Sequence, residues 1–219
     1  MRRLRPSANA SYLRTLPRGP SRVVAIRSPP GDLSFVPYLA FMSEWRKANV
    51  EGALYFITIT VVGWIDVFTR KELAGEMIKQ FEWNQKNKGL KLFAYVIMPS
   101  HVHFVAHREG GLMSDLLRDL KSYSAKCLLK LVEDMPNESR REWLLHMFQF
   151  HAKYQPQNEK YMFWQKTSHP IELWSAPVIE QKINYIHRNP VVSGIVTEPE
   201  HYWMSSAHPD GPLKLNGYG

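Results

Sequence analysis

Residues 91–106 read KLFAYVIM-PS-HVHFVA, and this stretch decides the fold. Residues 91–98 are rich in β-branched and aromatic side chains and stop at Pro99-Ser100, the composition of a strand ended by a short break. Residues 101–106 (HVHFVA) read as a further strand, and two such runs across so short a break predict a tight antiparallel hairpin. On a strand, residues i and i+2 share a face. His101 and His103 therefore project together, while Val102 and Phe104 point into the opposite layer. Two imidazoles on adjacent same-face positions can bind one divalent ion. The plain alternative is a pair of polar residues on a solvated strand face. His107 keeps the same parity if the strand continues, but the zinc-hydrolase pattern that this suggests needs an acid at 105, where the chain has Val105.

Upstream, residues 54–62 (LYFITITVV) read as a strand. Residues 70–88 read as a helix with Leu73, Met77, Ile78 and Phe81 on one stripe, stopped by Asn87-Lys88-Gly89. Downstream, Gly110-Gly111 is a turn, and residues 114–132 form an amphipathic helix. Its apolar side carries Leu116, Leu117, Leu120, Tyr123, Cys127, Leu128 and Leu131; Arg118, Lys121, Lys126 and Lys130 lie on the other. Residues 133–142 read as a polar loop or helix end around Pro136, and residues 147–150 and 161–164 as short strands of a fourth sheet element. Residues 177–188 read as a helix that Pro190 ends, because the residue before a proline resists helical geometry. Strand–helix–strand–strand–helix–strand followed by a further helix implies an α+β sandwich, an antiparallel sheet with helices packed on one face.

Composition narrows the class. Apolar residues make up 44% of the 219, enough for a core, and no run is long enough to span a membrane. A single cysteine, Cys127, rules out an internal disulfide and fits a reducing compartment. The net charge of +8 is concentrated in residues 1–41, which hold seven arginines against one acid, Asp32, so any nucleic-acid surface beyond them is a local patch. That Arg-, Ser- and Pro-rich segment has three readings: a disordered basic arm adding DNA affinity, a transit peptide, or translated leader before a true start at Met42. The last is favoured because the patterned chain begins there. The expected organisation is an N-terminal extension over 1–41, one domain over 42–208 and a flexible tail over 209–219.

A second constellation is Tyr185-Ile186-His187-Arg188-Asn189-Pro190. At about 100° per residue, Ile179, Ile183 and Ile186 form the buried stripe of the helix, and Tyr185 and Asn189, four apart, lie together beside it. A phenol and an amide then face one cleft at the edge of the core; the plain alternative is an edge-packing aromatic and a helix C-terminal residue. A third group is Lys121 with Tyr123 and Ser124. Its lysine is a phosphate contact or a solvated charge, and Trp164, Trp174 and Trp203 are either core or stacking platforms for unpaired bases.

These pieces, in this order, resemble the HUH transposases of the single-tyrosine, IS200-like class, and among them the REP-associated tyrosine transposases. Tyr55-Phe56-Ile57-Thr58 resembles the first strand, and Tyr95-Val96-Ile97-Met98-Pro99-Ser100-His101-Val102-His103 the metal-ligand hairpin. Leu120-Lys121-Ser122-Tyr123 resembles the middle helix. Phe163-Trp164-Gln165 and His169-Pro170-Ile171-Glu172 resemble the segment before the tyrosine helix. The stretch from Lys182 to Val196 (KINYIHRNPVVSGIV) resembles the signature carrying the nucleophile, and Tyr202-Trp203-Met204-Ser205-Ser206-Ala207 its closing motif. The likeness runs from about Met42 to Ala207, and residues 1–41 have no counterpart.

The resemblance implies a ferredoxin-like fold, Tyr185 as nucleophile, and Mg²⁺ or Mn²⁺ held by His101, His103 and Asn189. It implies a transposase that nicks and rejoins single-stranded DNA at hairpins through a 5′-phosphotyrosine link, in the cytoplasm of a bacterium, with a homodimer as one option and no membrane partner. Lys121, Lys182 and Arg188 are candidate DNA contacts. The alternatives are a domesticated hairpin-binding protein that does not cut, and a metal-dependent phosphodiesterase that uses water.

Overall fold

A computed structural model describes residues 48–153 and 160–217. The expectations for residues 1–41 lie outside the described residues. Four strands, β1 (Tyr55–Thr60), β2 (Leu90–Ile97), β3 (His101–Arg108) and β4 (Ile171–Glu172), form one sheet in the order β2-β3-β1-β4 with every pairing antiparallel. Helices α1 (Lys71–Asn87) and α2 (Met113–Asp134) connect β1 to β2 and lead on from β3. Helices α3 (Arg141–Ala152) and α4 (Ala176–Val192) flank β4 in sequence. This is the split β-α-β arrangement of a ferredoxin-like α+β fold.

Alternation along the strands sorts the apolar residues into two layers. Ile57, Ile59, Leu92, Tyr95, Val102 and Phe104 join Leu73, Met77 and Phe81 of α1 and Leu116, Leu120 and Leu128 of α2 in the larger core. Phe56, Ala94, Val96 and Val105 face the other way and meet Ile186, Ile183 and Ile179 of α4. Helices on a single face thus describes α1 and α2, while α4 covers part of the opposite face. The isoleucine stripe read from the sequence is what docks it.

Four local expectations change. Residues 147–150 belong to α3, whose Leu144, Phe148 and Ala152 are buried at intervals of four. Residues 161–164 contribute one isolated bridge, Val61 to Trp164, and the fourth strand is the two-residue β4. On α2 the stripe passes through Ser124 rather than Tyr123: Ser124 is buried and accepts a hydrogen bond from Trp164 Nε1 at 3.0 Å, while Tyr123 is exposed. Pro190 does not end α4, which continues to Val192. Only the last helical turn follows it, so few backbone bonds are lost, and Ser193 N–H still donates to Asn189 O at 3.0 Å.

The segment after 209, expected as a flexible tail, is docked over residues 211–216. Leu213 is buried, Asn216 exchanges two hydrogen bonds with the Leu92 backbone (2.7 and 3.0 Å), and Gln85 Nε2 donates to Lys214 O at 2.8 Å. Ahead of it, Ile97 N–H donates to Met204 O, Tyr202 Oη donates to Ile97 O, and Ser206 bonds both backbone groups of Tyr95. Among the described residues no helix is long and apolar enough to cross a membrane.

Candidate functional site

The β1–β3 register sets Thr58 opposite His103 and Thr60 opposite His101. All four lie on the face that α4 only partly covers, so this end of the sheet is polar where the rest is apolar. His101 and His103 stand with ring centroids 4.6 Å apart. The Nδ1 of His103 shares a 2.7 Å hydrogen bond with Thr58 Oγ1, and the Nδ1 of His101 lies 3.2 Å from Ser100 Oγ. With Nδ1–H donating to each hydroxyl, the Nε2 lone pairs are left for another partner, the arrangement that orients histidine ligands of metals.

Burial disfavours the charged form of both rings. The His103 pKa is pushed down to about 3 by burial first, with the nearby His101 and Lys182 adding to the effect. Burial lowers His101 as well. A neutral imidazole offers a lone pair where an imidazolium offers none. Among the described residues no third His, Cys, Asp or Glu joins the pair. His107 shares the face but stacks on Phe93, with ring centroids 5.8 Å apart. Two oriented imidazoles offer nitrogen donors of the kind a divalent ion takes, a donor type that favours Mn²⁺ over Mg²⁺ on residue chemistry alone.

Helix α4 crosses this face. Tyr185 packs edge-on against His103 (5.4 Å between centroids) and Phe56 (5.8 Å), yet the residue is 49% exposed. Its phenol is therefore held beside the imidazole pair and reachable from outside. Asn189 follows one turn later on the same side of α4 and is partly buried. Lys182, one turn earlier, holds its ammonium 5.0 Å from the Phe56 ring centre and 5.8 Å from that of Tyr185; burial lowers its pKa. The structure thus brings His101, His103, Tyr185 and Lys182 into one cluster. Arg188 is exposed on α4. His187 latches the helix to the C-terminal segment through a 2.9 Å bond between Nε2 and Ser206 Oγ.

Lys121, a candidate DNA contact, is engaged within the protein. Its ammonium donates to Gln165 O (2.7 Å), Lys166 O (3.0 Å) and Ser168 Oγ (3.1 Å), three donors for three acceptors. Burial lowers its pKa to about 8. It staples the loop after Trp164 to α2, and Ser168 O in turn accepts from Thr58 N–H at 3.2 Å, beside the histidine pair. Trp164 is core, whereas Trp174 and Trp203 are exposed.

Three residues at the site are not singled out by the sequence. Thr58 and Ser100, the hydroxyl partners of the two rings, are seen only once the strands are in register. The third is Trp64, exposed at 61% and packed edge-on against His101 with centroids 5.5 Å apart. Its φ of 57° follows that of Gly63 at 62°. A left-handed conformation at a bulky residue costs on the order of 1–3 kcal/mol and marks a position that its surroundings enforce.

With this fold and site, comparison with solved structures finds a REP-associated tyrosine transposase bound to a REP hairpin. It is 20% identical in sequence, the match covers 81% of this chain and 92% of that one, and the TM-score is 0.52. At that identity the likeness is one of fold. A "putative transposase" from Deinococcus radiodurans R1 is also similar, at 18% identity over 65% of this chain and 95% of that one, with a TM-score of 0.39. No family model and no curated protein matches the chain.

Proposed function

We propose that this protein is a tyrosine transposase that cuts and rejoins single-stranded DNA at hairpins. The observation that carries the reading is the exposed Tyr185 phenol packed 5.4 Å, centroid to centroid, from a buried, neutral histidine that is itself paired with a second. A fold shared with a transposase bound to a DNA hairpin supports it.

His101, His103 and Asn189 would hold a divalent cation, which supplies Lewis-acid polarisation of the scissile phosphate when bound. The Thr58 and Ser100 hydroxyls orient the imidazoles, and where they accept from Nδ1–H they leave Nε2 unprotonated. Tyr185 Oη attacks phosphorus; the new O–P bond forms as the P–O3′ bond breaks, leaving a 5′-phosphotyrosine and a free 3′-OH. A second 3′-OH reverses the step, because a phenolate is a better leaving group than an alkoxide. The Lys182 ammonium sits beside the phenol and is suited to pairing with the phosphate.

The test is incubation with labelled single-stranded hairpin DNA and Mn²⁺, followed by a denaturing gel. A covalent protein–DNA band that Tyr185→Phe abolishes is the expected result. Cleavage without the band means a hydrolase that uses water, and binding without cleavage means a domesticated hairpin-binding protein.

A further inference from the structure

The rings at the site form a row. Tyr185 packs on His103, His103 on His101 and His101 on Trp64, with successive centroids 5.4, 4.6 and 5.5 Å apart. The phenol and the indole therefore flank the imidazole pair at its two ends, and both are about half exposed or more. Next to Trp64 the surface opens into a groove of about 400 Å³ lined by Gly63, His151, Gln165, Lys166 and Thr167. Its walls are held firmly. Gln165 N–H donates to Thr60 O, Gln165 Nε2 to Val61 O, and Lys121 clamps the carbonyls of Gln165 and Lys166. A side chain at position 63 would collide with the His151 ring, 2.8 Å from where its Cβ would stand, so Gly63 keeps His151 closed over the turn that displays Trp64.

We infer that Trp64 and this groove bind one nucleotide of single-stranded DNA, the neighbour of the phosphate held at the histidine pair. The unpaired base stacks on the indole, and Lys166, exposed at the groove rim, pairs with the backbone phosphate. An enforced left-handed turn that presents a bare indole against a candidate metal ligand serves no packing purpose, since Trp64 buries little of itself. Base–aromatic stacking accepts any base because each has a π-face, so the site fixes the strand's path without reading its sequence. A duplex has no unstacked base to offer. The inference rests on the single-stranded DNA reading of the same site.

Three probes test it: a mixed-sequence single strand of about twenty nucleotides, the same backbone without bases, and the duplex. Trp64→Ala is expected to weaken binding of the single strand about tenfold and to leave the abasic strand and the duplex unchanged, with Trp64→Phe restoring most of the loss. Lys166→Gln is expected to weaken the single strand and the abasic strand alike and to flatten the salt dependence. Equal loss on all three probes, or no loss with Trp64→Ala, overturns the site. A wild-type protein that shows the Trp64-dependent preference but no Tyr185 adduct keeps the site and ends the cleavage mechanism. An adduct formed equally well with Trp64→Ala, with unchanged affinity, does the reverse.

Discussion

The two faces of the sheet are made by alternate residues of the same strands, yet they are built to opposite ends. Toward α1 and α2 the strands send Ile57, Ile59, Val102 and Phe104, all fully buried in a continuous apolar layer. Toward α4 they send Thr58, Thr60, His101 and His103 at one end and only a small apolar cluster elsewhere. The first face carries the larger share of the apolar burial. The other gives up part of that burial to hold polar groups at fixed spacing, and the backbone they share makes the fixed spacing rigid.

This division can be broken most sharply by paired substitutions. Tyr185→Phe removes one exposed oxygen, so the covalent product should fall by on the order of a thousandfold or more while the melting temperature stays put. Phe104→Ala, on the opposite face, should leave the cluster's chemistry intact in the folded fraction but cost about 3–5 kcal/mol of stability, read by denaturant unfolding. If Tyr185→Phe lowers stability as Phe104→Ala does, the faces are not functionally separate.

Smaller effects sharpen the contrast. Thr58→Val keeps the shape of the strand and removes the partner of His103 Nδ1. Affinity for Mn²⁺ should drop about 10–100-fold, measured by isothermal titration, with stability almost unchanged. Lys121→Met leaves two carbonyls without their donor. It should cost about 1–3 kcal/mol and loosen the 165–168 loop, visible as faster amide exchange there. The smallest effect is on pH. Glu138, paired with Arg70 at 2.7 Å, has its carboxyl held down to about 2 from an ordinary 4.5. Its contribution is complete above the ordinary value and is lost as pH falls through 4.5 toward 2, so Glu138→Gln should flatten the acid limb of the stability curve.

Much of this was legible in the sequence, for definite reasons. The β2–β3 hairpin and the helices α1, α2 and α4 carry long periodic patterns, and the parity of His101 and His103 follows from alternation alone. What failed had too little pattern to read. The α3 stripe consists of Leu144, Phe148 and Ala152, and its MFQF stretch, residues 147–150, alternates like a strand. β4 is two residues long. Helix α4 passes through Pro190 because so little helix remains after it. At the candidate site, the histidine pair and Tyr185 stand out by motif, but their approach, the Thr58 bond and the Trp64 contact depend on register between distant segments. The internal bonds of Lys121 are not legible in the sequence, because a long basic side chain on a helix looks solvated until the loop it holds is folded over it.

The C-terminal segment has a consequence for how copies of this protein meet. β2 lies at one edge of the sheet, and an outer strand with unsatisfied backbone groups is a template on which another molecule's strand can grow. Here Met204, Ser206 and Asn216 occupy that row at Ile97, Tyr95 and Leu92. Residues 204–216 thus act as a terminator, and β-type self-association from the part of the edge they cover is blocked while they remain in place.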